Sequence, residues 1–96
     1  MRAQYDSHAN AISIELVRAE KADRADRVHE RAVVAVCGKK PIELQLLYPD
    51  LGLVEPLAAA AAKHGLDREA LAAAAAAALA APDRSVSVDV AIRPAA

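Results

Sequence analysis

The chain has 96 residues and 55% of them are apolar, but 26 are alanine, which leaves 27 side chains large enough to fill a core. That supports one domain over residues 1–96 rather than two, and with 23 Leu, Ile and Val against a formal charge of −1 the chain falls outside the range of disordered sequences. Twelve Lys and Arg are matched by thirteen Asp and Glu. The basic excess that counterion-release binding to nucleic acid needs is therefore absent.

The N-terminal residues Met1–Asp6 read as a mature start without the apolar stretch of a signal peptide. Arg2–Tyr5 is short and half-apolar, and Asn10–Val17 alternates Ile12, Ile14 and Leu16 with Ala11, Ser13 and Glu15. Such alternation predicts strands with one buried face. Between them, Asp6-Ser7-His8-Ala9-Asn10 supplies side chains that bond nearby backbone N–H groups, so the two strands form a hairpin.

Arg18–Asp26 alternates in charge and has no apolar side chain larger than alanine, which predicts a solvated loop. Val28, Val33, Val34 and Val36 then mark one strand ending at Gly38. Lys39-Lys40-Pro41 reads as a turn, followed by a strand alternating Ile42, Leu44 and Leu46 with Glu43 and Gln45. A second hairpin results.

Beyond Tyr48-Pro49-Asp50 the period changes. Pro56, five consecutive alanines from Ala58 to Ala62, and Gly65 predict a helix at about 54–64. Asp67 is a suitable N-cap for a second helix at about 68–81, which Pro82 stops. Ala72–Ala78 has high helix propensity but little surface to bury, so this helix is expected to pack weakly, anchored by Leu71 and Leu79, and its small side chains should let it lie flat on the sheet or on a partner helix. Ser85–Ile92 alternates Val86, Val88, Val90 and Ile92 with Ser87, Asp89 and Ala91, and predicts a last strand at a sheet edge. The expected fold is α+β: a small, mainly antiparallel sheet of two hairpins plus a C-terminal strand, with two consecutive alanine-rich helices packed on one face.

The run Tyr5-Asp6-Ser7-His8-Ala9-Asn10-Ala11-Ile12-Ser13-Ile14-Glu15-Leu16, followed by Val33-Val34-Ala35-Val36 and Ile42-Glu43-Leu44, resembles a small, widespread prokaryotic domain family of unknown function. Its members open with Tyr-Asp and close with an Ile-Glu-Ile/Leu strand. The resemblance covers residues 2–48, with Pro41 standing where the family usually has glycine. It implies an antitoxin-type role, since some members are encoded beside small toxin-like genes. It implies nothing about the alanine-rich helices or the last strand.

Reactive groups are few. Asp6 and Asn10 read as turn formers rather than ligands, and His8, His29, His64 and Cys37 lack the short spacings of a structural zinc site. On a single straight strand, His29 and Cys37 would stand roughly 26 Å apart, too far for a nucleophile pair. No catalytic, cofactor-binding or metal residue is assigned. The lone Cys37 needs no oxidising compartment, and the longest apolar run, Ala70–Ala81, is shorter than the roughly 20 residues of a membrane span. A cytoplasmic protein is expected.

Three functions remain. The first is a non-enzymatic interaction protein, a homodimer or the partner of a small cognate protein, because so thin a core favours association. The second is a DNA-binding regulator through a helix-turn-helix-like segment at 57–81, against which Ala72–Ala78 offers only methyl groups for reading bases. The third is a small-molecule binder or enzyme with a pocket between sheet and helices involving Tyr5, Tyr48 and His64.

Overall fold

A computed structural model of the protein describes residues 1–18 and 21–88. The strands are β1 (Arg2–Asp6), β2 (Ala11–Glu15), β3 (Arg24–His29), β4 (Ala32–Cys37), β5 (Lys40–Leu47) and β6 (Ser85–Ser87), and the helices are α1 (Val54–His64) and α2 (Arg68–Ala80). The six strands form one sheet in the order β3-β4-β5-β2-β1-β6. Every neighbouring pair is antiparallel. The expected α+β architecture is observed, with β6 at one edge; residues 89–92 of the expected last strand lie outside the described residues.

The alternation in sequence becomes two chemically different faces. One lateral row joins Val86, Ala3, Ile14, Leu44, Val34 and Asp26, and the next joins Tyr5, Ile12, Leu46 and Ala32. Ile12, Ile14, Val34, Leu44 and Leu46 are completely buried there beneath the helices, α2 over β1 and β2, α1 over β3 and β4. The opposite face carries the row Ser85, Gln4, Ser13, Gln45, Val33 and Arg27. Water satisfies that mostly polar face, so it needs no cover.

Three local expectations are met by identifiable contacts. In the first hairpin Asp6 Oδ1 accepts hydrogen bonds from the backbone N–H of His8 (2.9 Å) and Ala9 (3.2 Å), and Asn10 takes the left-handed conformation with φ 52°. Gly65 ends α1 at φ 63°, and its N–H reaches the Ala61 carbonyl. The Asp67 carboxylate caps α2 by accepting from the Ala70 N–H at 3.2 Å.

Two expectations are corrected. The valine set is not one strand: it divides at Glu30-Arg31 into β3 and β4, so among the described residues the sheet has six strands rather than five. The loop expected at Arg18–Asp26 gives way to strand at Arg24, because an edge strand is held by backbone pairing to one neighbour and tolerates charged side chains. Register shifts in two places, at Val28 in β3 and at Ile42 in β5. The second is a bulge beside Pro41, a position where a residue without an N–H is accommodated; the Ile42 carbonyl there accepts from both Leu16 and Val17.

The alanine helix lies close on the sheet, as expected, but only one of its two expected leucine anchors is buried. Ala70, Leu71, Ala74, Ala75 and Ala78 form its buried face, with Ala74, Ala75 and Ala78 fully buried. Small side chains bring the helix backbone close to the sheet, so contact is gained through proximity rather than side-chain bulk. Leu71 anchors this face, whereas Leu79 points outward and is partly exposed.

Candidate functional site

The residues singled out in sequence are dispersed by the fold. Tyr5 donates its hydroxyl proton to Asn10 Oδ1 (2.9 Å), and the Asn10 amide donates to Asp50 Oδ1 (2.8 Å). The Asn10 carbonyl in turn accepts the Tyr48 N–H at 2.9 Å. This chain of bonds ties the β1–β2 turn to the segment that enters α1, a structural use of the Tyr-Asp-x-x-x-Asn pattern. Asp83 extends it, its two carboxylate oxygens accepting from the Ser7 N–H (2.9 Å) and hydroxyl (2.7 Å). Those bonds hold the Asp83 carboxyl below its ordinary pKa.

The three histidines go to three places. His8 lies in the β1–β2 turn. His29 accepts the Arg31 N–H at Nδ1 (3.1 Å), so its neutral ring carries the proton on Nε2, which stands 3.8 Å from the Glu55 carboxylate. His64, the last residue of α1, meets Asp26 Oδ2 at 2.9 Å, and Lys63 reaches Asp26 Oδ1 at 3.2 Å. Asp26 sits in a lateral row otherwise apolar, which explains why it needs partners. Its pKa is lowered by the hydrogen bond from His64 and then by that from Lys63.

His29 and Cys37 are not on one strand. His29 pairs with Ala32, and Cys37 ends the same β4 strand opposite Lys40, which leaves roughly 17 Å between them by strand rise. No three His, Cys, Asp or Glu side chains gather as metal ligands among the described residues. Tyr5 and Tyr48 meet near Asn10 at the start of α1, while His64 stands at its far end, about 15 Å away by helix rise. None of the three lines the groove described next.

What the fold does build is an apolar groove on the outer surface of the helix pair. Leu53, Val54 and Leu57 line one side and Ala72, Ala76 and Leu79 the other, with Arg68 and Glu69 at one end; its volume is about 460 Å³. Leu57 is buried, but Val54 is 77% exposed, and beside it Leu51 is 65% exposed. The reason is the helix itself. From Ala70 to Ala81 there is no polar side chain, so the outward residues Ala72, Ala73, Ala76, Leu79 and Ala80 are as apolar as the inward ones, although they are exposed.

A surface helix ordinarily shows water a polar face, and one apolar all round is ordinarily buried. The sequence carried this signal in its twelve-residue uncharged run. The exposure of Leu51 and Val54 carried none, because it depends on where the chain turns into α1. Among the described residues no helix is long and apolar enough to cross a membrane. No family model, curated protein or solved structure matches the chain.

Proposed function

We propose that this is a non-enzymatic interaction protein that works by docking the outer face of its α1–α2 pair against another protein surface. The observation that carries the reading is the absence of polar side chains on the exposed side of α2 from Ala72 to Ala80, in a groove that Val54 also lines. Covering a side chain such as Val54 or Leu79 contributes about 1.5–3 kcal/mol when the burial is complete. A few such residues are sufficient to anchor an interface.

The same face argues against DNA. Apart from Arg68 in its first turn, α2 offers none of the Arg, Lys, Asn or Gln side chains that reach base edges, and the chain has no basic excess. The resemblance of residues 2–48 adds an antitoxin-like role, in which the surface would meet a small cognate protein. A cytoplasmic location completes the proposal.

The test is to place a charge in the middle of the face. Ala76→Glu is expected to leave the circular dichroism spectrum and melting temperature unchanged while abolishing association with the protein's partner, itself included. Gln4→Glu on the polar sheet face should abolish nothing. Association that survives Ala76→Glu, or its absence from the unaltered chain, refutes the reading.

A further inference from the structure

We propose that residues 48–52 form a strained hinge, latched by Arg31, on which α1 swings off the sheet as a unit and opens the groove it walls. The first observation is the backbone. Tyr48 takes the left-handed conformation, φ 49° and ψ 61°, where the Cβ of any residue but glycine crowds the following carbonyl. Pro49 comes next, and a residue before proline is further biased towards extended backbone. The Tyr48 side chain is 52% exposed, so packing offsets little of that cost. At the far end of the turn Gly52 stands at φ 107°, which glycine alone adopts readily.

The second observation is what holds the turn. Arg31 Nη1 donates to the carbonyls of both Tyr48 and Gly52, one at each end, and the Asn10 amide holds Asp50 between them. Bonds that keep a backbone in a disfavoured conformation act as a latch, and the strain released when they break favours the open state. The third observation is how lightly α1 is seated. Its buried residues are Pro56, Leu57 and Ala60 alone. Polar contacts tie it to β3, Glu55 to His29 at its start and Lys63 and His64 to Asp26 at its end. Gly65, left-handed at φ 63°, supplies a second pivot before α2. A segment with so few buried apolar contacts opens before the rest of a domain. Opening carries Leu53, Val54 and Leu57 away from Ala72, Ala76 and Leu79, and bares Leu57 and Ala60 of the core.

Amide hydrogen exchange on the full chain, read residue by residue by NMR, tests the hinge without a partner. In the unaltered chain the α1 amides should exchange at least about tenfold faster than those of Val34 and Leu44, which open only with the whole domain. Ile14→Val weakens the sheet, which stays intact when α1 opens; it should speed Val34 and Leu44 about fivefold and leave α1 within about twofold. Tyr48→Ala and Tyr48→Gly both lack the ring and differ only in the Cβ. On ordinary backbone alanine is the more protective, whereas on this hinge the glycine chain should protect α1 about fivefold better. Arg31→Met should speed α1 exchange about tenfold. Exchange of α1 at the rate of Val34 and Leu44, or an α1 that Ile14→Val speeds as much as the sheet, overturns the hinge. Alanine protecting as well as glycine overturns the strain, and an Arg31→Met change under about twofold overturns the latch. Each of these failures leaves the interaction reading standing, because no partner takes part.

Discussion

Substituting leucine for Ala74 tests whether the alanine face of α2 is a close-packed contact or a loose one. Ala74 is fully buried and packs in one cluster with Ala3, Ile14, Leu44 and Leu71. Leucine adds three carbons and retains nearly the helix propensity of alanine. With space available, their burial would stabilise the protein by about 0.8 kcal/mol each, roughly 2.4 kcal/mol together. In a filled contact they must displace the helix from the sheet, at a cost of about 1–3 kcal/mol. The two possibilities have opposite signs. The packing described here predicts the loss, and a melting temperature lower by roughly 4–24 °C, given about 4–8 °C per kcal/mol for a domain of this size. Ala73→Leu, one residue earlier but exposed, is the control, with a change within about 0.5 kcal/mol. Urea unfolding followed by circular dichroism measures both. If Ala74→Leu is as stable as the unaltered chain, or more so, at an unchanged m-value, close packing of α2 on the sheet is refuted.

Other outcomes follow from single contacts. Asp67→Ala removes the N-cap of α2 and should destabilise the chain by about 1 kcal/mol in urea unfolding, with Asp67→Ser largely neutral. Gly65→Ala meets no steric obstacle, since nothing lies within 4 Å of an added Cβ; it should still cost about 1 kcal/mol, because only the left-handed backbone is penalised, and Gly65→Asn should cost less. Tyr5→Phe deletes the hydroxyl donor to Asn10 and should lower stability by about 1 kcal/mol. The Asp26 carboxyl lies below its ordinary value of 3.8 in the folded chain, so it binds a proton less readily there than when unfolded. Its stabilisation is complete above that ordinary value and is lost as pH falls through the lowered one. Asp26→Asn should therefore flatten the acid limb of a melting-temperature profile below about pH 4, and an unchanged limb would remove His64 and Lys63 as the source of the shift.

Much of this protein could be read from local pattern. Alternation at Ile12, Ile14, Leu44 and Leu46 names the residues that meet beneath the helices, because successive strand side chains point to opposite faces whatever the strand pairs with. Gly65 and Asp67 mark the helix boundary for an equally local reason: one supplies a left-handed conformation, the other an acceptor for an orphan N–H. Tertiary structure decided the rest. β3 was hidden because an edge strand is held by backbone pairing with its neighbour, which leaves little trace in side-chain composition. The partners of Asp26 lie 37 and 38 positions away on α1, a separation no spacing rule reaches. The alanines of α2 look alike in sequence, and only docking on the sheet separates Ala74, Ala75 and Ala78 from Ala72, Ala73 and Ala76. That uniformity leaves the outer face without polar groups, because a residue type that allows close approach on one side of a helix supplies nothing for water on the other.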